Sequence, residues 1–118
     1  MPIKLPQEIE VWYIIPAIRR EIAKALLKKG MKQKYIAKML GVTDAAISQY
    51  FSSKRGSEVK FNQRINKEIA TSVEAMVKGG NALAEIQRIC KLCKKDKICC
   101  YVHKHHGAPD GCSVCFPG

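Results

Sequence analysis

An all-α fold follows from three observations in this sequence of 118 residues. Apolar residues recur at helical spacing in several segments, most clearly Phe61, Ile65, Ile69, Val73 and Val77 at every fourth position. Glycines at Gly30 and Gly79-Gly80 close such segments, as left-handed backbone closes a helix. No strand-helix-strand pattern occurs along the chain. Five helical segments are expected around one small core, followed by a small irregular tail in which the cysteines concentrate. The division read from composition is an N-terminal arm over 1–14, a helical domain over 15–89 and a Cys-rich tail over 90–118.

Each element has its own signal. Residues 1–14 contain two prolines and no helical period, which predicts an extended arm whose Val11, Trp12 and Ile14 pack on the body. The first helix should carry Pro16 in its first turn, place Ile18, Ile22 and Leu26 on one stripe and stop at Gly30. Its other face holds Arg19, Arg20, Lys24, Lys28 and Lys29, a solvated face from which one or two cations could reach phosphate. Two short helical patterns follow within 33–52, QKYIAKMLGVTDAAISQYFS. Ala37 is small where a second helix must cross closely, Gly41 can take the left-handed turn between them, and Thr43 can cap the second. Ile36, Leu40, Val42 and Ile47 would wedge the pair at a fixed angle. The polar stretch SSKRGSEVK then reads as a loop, a fourth helix is expected over about 58–78, and Asn81 should cap a fifth whose stripe is Leu83, Ile86, Cys90 and Cys93.

Charge points to a partner. The 21 Lys+Arg against 10 Asp+Glu leave +11 on a small body, which self-repels unless a polyanion offsets it. Two short helices at a wedge angle with an exposed second helix are what a helix-turn-helix places against a DNA groove. The residues Gln33, Ala37, Gly41, Val42, Thr43, Ile47 and Ser48 resemble the Cro/repressor-type (XRE) helix-turn-helix. With the lead-in IPAIRREIAKALLKKG and the following SSKRG, residues 15–56 are similar more narrowly to small archaeal predicted regulators. In that group the DNA-binding domain is followed by an enzyme-like effector domain or by a cysteine-rich tail. The resemblance implies a transcription regulator rather than an enzyme.

The second helix of the pair would offer Thr43, Asp44, Ala45, Ser48 and Gln49 to the major groove. Gln49 has the geometry for a bidentate pair with adenine, Ala45 for a thymine methyl and Asp44 for cytosine, although Asp44 equally suits the positive end of its helix. Lys32, Lys34, Lys54 and Arg55 supply charge toward phosphate, which positions without reading sequence. In related repressor folds a glutamine at the place of Gln33 contacts phosphate or braces a base-reading side chain. Double-stranded DNA is therefore the expected partner, and apolar surface on the fourth and fifth helices suggests a homodimer reading two half-sites. No small-molecule substrate and no membrane are implied: the apolar run at 11–15 is too short for a span or a signal peptide, and a cytoplasmic location is expected.

The tail reads CKLCKKDKICCYVHKHHGAPDGCSVCFPG. Cys90/Cys93 and Cys112/Cys115 form two C-x-x-C pairs with 18 residues between them, a spacing that suits a metal. The expected ligands are Cys90, Cys93, Cys100, Cys112 and Cys115, with Cys99 and His103 as alternates. A [4Fe–4S] or related iron–sulfur cluster is one reading, which would make the tail a redox or metal sensor. A structural Zn2+ is the alternative, with a zinc-knuckle RNA-binding or assembly module beyond it. Lys91, Lys94, Lys95 and Lys97 would lower the thiol pKa values of the first pair.

Overall fold

The computed structural model describes residues 5–52, 59, 61–96 and 98. Among these, five helices of eight residues or more follow in order: α2 (Ile15–Lys28), α3 (Gln33–Leu40), α4 (Asp44–Phe51), α5 (Gln63–Val77) and α6 (Ala82–Lys95), with a short α1 (Pro6–Ile9) and a π-helical turn (Glu10–Ile14) before them. No strand occurs among the described residues.

The first correction concerns the arm. Residues 6–14 are helical, not extended, and run directly into α2. Pro16 explains the π turn. It has no N–H to give and its ring would collide with the carbonyl four residues back, so a wider turn before it relieves both problems, and the Ile15 amide donates to the Glu10 carbonyl. The same widening hides the period from a reader of the sequence. Ile9 and Ile14 lie five residues apart, on different sides of a regular α-helix, yet both are fully buried here. Val11 and Trp12, expected to pack inward, are 59% and 57% exposed instead.

Helix α2 is the centre of the molecule. Ile18, Ile22 and Leu26 form the expected buried stripe, joined by Ala17 and Ala23, and α2 packs against α3, α4, α5 and α6. Its basic face is less solvated than its composition suggests. Arg20 donates from Nε to the Tyr50 carbonyl at 3.1 Å and so holds the far end of α4, while Lys29 pairs with Glu74 of α5.

Helices α5 and α6 make an antiparallel hairpin on the other side of α2. Asn62 and Asn81 cap them, accepting from the Ile65 and Ala84 amides at 2.8 and 3.0 Å. The α5 helix starts at Gln63, five residues later than expected, because Asn62 fixes its first turn. Ile65, Ile69 and Val73 are buried as the spacing predicts, but Met76 and not Val77 completes the stripe, and Ile89 rather than Leu83 carries the core of α6. The turn between them admits only glycine at Gly80, where a Cβ would lie 2.7 Å from the Ala75 carbonyl oxygen.

Candidate nucleic-acid interface

The turn between α3 and α4 is built by backbone chemistry. Gly41 sits at φ 70° and ψ 32°, its amide donates to the Lys38 carbonyl at 3.3 Å, and the Val42 amide donates to the Ala37 carbonyl at 3.0 Å. This pair of bonds is a Schellman motif, and it requires the left-handed residue to be glycine or to bear strain. Thr43 then reverses the polarity of the chain: its Oγ1 accepts from the Ala46 amide at 3.0 Å and opens α4.

Below this turn the wedge is apolar. Ile36, Ala37, Leu40, Ile47 and Tyr50 are buried, with Val42 packed against them. Helix α4 has eight residues, about 12 Å of rod at 1.5 Å each, and the diameter of an α-helix with its side chains, ~10–12 Å, is what a major groove admits. With Ile47 and Tyr50 turned inward, Thr43, Asp44, Ala45, Ser48 and Gln49 are all exposed on one continuous surface.

Gln33, half-buried at the start of α3, reaches across to α4 and donates from Nε2 to Ser48 Oγ at 2.9 Å. The bond ties the first turn of α3 to the exposed side of α4. Ser48 accepts from Gln33, and its own proton finds no acceptor among the described residues. Lys32 and Lys34 are exposed beside it, and Lys34 Nζ lies 5.2 Å from the ring centroid of the exposed Tyr35. Lys54 and Arg55 lie outside the described residues. Tyr35 and the Arg20 anchor were not singled out from the sequence as parts of this surface. A run of two arginines on α2 does not say which one turns inward toward a helix C-terminus.

The cysteines divide. Cys90 and Cys93 sit one turn apart on α6, the first half-buried and the second buried. Burial pushes the Cys90 thiol up to about 11, with Glu10 adding to the rise and Arg19 opposing it. The expected lowering by nearby lysines is overturned at Cys90, since removal from water outweighs charges that stay in solvent. Cys99, Cys100, His103, Cys112 and Cys115 lie outside the described residues.

A buried wedge, a left-handed glycine, a threonine cap and an exposed polar face together define a helix-turn-helix. Residues 22–60 match the family model described as Helix-turn-helix, and the chain accordingly carries an XRE-type helix-turn-helix domain there, of the kind found in transcription regulators. Searches of curated proteins and of solved structures return no similar chain. No helix among the described residues is long and apolar enough to cross a membrane.

Proposed function

We propose that the chain is a sequence-specific transcription regulator that reads double-stranded DNA through α4. The observation that carries this reading is the exposed row Thr43, Asp44, Ala45, Ser48 and Gln49 on a helix whose opposite side is locked into the core. Gln49 pairs with an adenine edge, Ala45 meets a thymine methyl, and Ser48, braced by Gln33, donates to a base acceptor. Lys32 and Lys34, with Lys54 and Arg55 in the following segment, hold the backbone phosphates. Among the described residues no side chain caps the first turn of α3, so the Gln33 and Lys34 amides remain for a phosphate oxygen, while the Tyr35 amide is taken by the Lys32 carbonyl. Loss of any one phosphate-holding lysine lowers the salt slope of binding by about one.

The active form is a homodimer in this reading. Val77 and Leu83, 48% and 74% exposed on either side of the α5–α6 turn, supply apolar surface for the contact. The rest of the expected dimer stripe is used inside the monomer. The tail holds a metal centre through Cys90, Cys93, Cys100, Cys112 and Cys115, an iron–sulfur cluster or, as the second reading, zinc. Two cysteines one turn apart on α6 suit a shared thiophilic ion, and the burial of Cys93 ties ligation to the packing of that helix. When bound, a cluster supplies redox or oxygen sensing, whereas zinc supplies folding alone.

Selection of bound fragments from random duplexes, with metal-loaded and metal-free protein in parallel, tests the reading. The expected result is a two-fold-symmetric motif with half-sites about one helical turn apart, enriched differently in the two arms. Enrichment of no motif in either arm rules out sequence-specific recognition. Metal analysis and a visible spectrum of anaerobically purified protein decide between the two metals, since zinc without colour ends the cluster reading.

A further inference from the structure

A cleft of about 680 Å³ opens between the π turn, the C-terminal end of α3 and the first turns of α6, away from the DNA-facing row. Its size falls within the usual range of small-molecule sites, ~300–1,000 Å³. Ile15, Met39 and Ile86 give it apolar walls, and three charged residues line it, Glu10, Arg19 and the exposed Lys38. Arg19 Nε is enclosed and finds no acceptor among the described residues. A buried guanidinium N–H without an acceptor is costly, so the Arg19 side chain gains by turning its guanidinium to an anionic oxygen in the cleft. Glu10 does not fill it: the ion pairs of the described residues involve neither Arg19 nor Glu10. Glu10 also opens the π turn, an irregularity that recurs at functional sites.

We propose that this cleft binds a small zwitterion with an apolar body, of the chemical class of the apolar amino acids. The carboxylate accepts from Arg19, the ammonium donates to Glu10, and the side chain covers Ile15, Met39 and Ile86. A ligand without an ammonium leaves Glu10 unused, and a neutral apolar molecule leaves the Arg19 donor unpartnered. The inference goes beyond DNA reading and does not depend on it, because binding is measured without DNA. Gly41, the left-handed residue of the helix-turn-helix, lines the same cleft, so occupancy registers at that turn.

Calorimetry and amide NMR of the full chain with L-phenylalanine and L-leucine at millimolar concentration test the proposal. Each is run beside its half-ligands, hydrocinnamate and phenethylamine for the first, isocaproate and isoamylamine for the second. The expected result is saturable binding of at least one amino acid, with shifts at Leu40 and Gly41 and over residues 82–87, and binding of its half-ligands weaker by about tenfold or more. Arg19→Met abolishes amino-acid binding while circular dichroism stays helical. Glu10→Gln weakens amino-acid binding by about tenfold yet leaves the matching acid unweakened. Should Arg19→Met fail to fold, the Glu10→Gln pair of titrations decides alone. Absence of saturable binding by both amino acids, shifts confined to other helices, or equal effects of Glu10→Gln on amino acid and acid overturns the proposal.

Discussion

Helix α4 and the α5–α6 hairpin use their polar side chains in opposite ways. On the hairpin the central ones are consumed internally. Arg88 donates to Glu68 Oε1 at 2.8 Å, to the Glu68 carbonyl at 3.1 Å and to Ser72 Oγ at 2.6 Å, while Arg64 and Asn62 both reach Asp96. Ser72 is fully buried, so the Arg88 bond is what makes its hydroxyl tolerable there. On α4 the polar residues point the other way, and the helix is held by apolar burial beneath, a cap at one end and Arg20 at the other. The difference separates scaffold from reading surface: internal polar bonds fix two long helices, and polar groups left facing outward remain available to bases.

This contrast can be broken at four points. Ile47→Ala should be the most damaging change, because it removes the fully buried anchor of α4 and leaves a cavity. A loss of about 2–5 kcal/mol in denaturant unfolding is expected. Arg88→Ala comes next, at about 1–3 kcal/mol, from the stranded Ser72 hydroxyl and not from the half-exposed ion pairs, which solvent screens. DNA affinity of the folded fraction should not change with it, and a parallel fall in affinity would erase the separation of scaffold from surface. Thr43→Ala should cost about 1 kcal/mol as a lost cap, with Ser recovering most of it.

The smallest effect concerns Glu74, whose carboxyl is held below its usual range by the hydrogen bond and charge of Lys29. A carboxylate with a depressed folded pKa contributes stability above its unfolded value, and that contribution disappears as pH falls through the folded one. Glu74→Gln should therefore lower the midpoint of thermal unfolding slightly at neutral pH. The gap from the parent should close once the pH is well below 4.5, the ordinary value for this side chain. A gap that persists in acid assigns the effect to packing instead.

How much was legible depended on whether the signal was local. Gly41, Thr43, Asn81 and the stripes of α2 and α5 act through neighbours within one or two turns, and the chain states them directly. Helix α1 and the π turn were not legible, because an irregular turn breaks the very spacing by which helices are found. Nor was the inward course of Arg20, which answers to a carbonyl 30 residues away. The Cys90 thiol was misjudged for a related reason: adjacent lysines are visible in the sequence, whereas the burial that outweighs them arises from α6 packing near Glu10 and Arg19. Of the outward row, the sequence supplied the residues and the fold supplied their common exposure.

The most direct trial of this account is a gel-shift titration of the parent chain and Gln49→Ala on a selected operator and on an unrelated duplex of equal length. The account predicts a loss on the operator equivalent to about 1–3 kcal/mol, with affinity for the unrelated duplex unchanged. Equal losses on both duplexes would contradict it, since α4 would then be holding DNA without reading it.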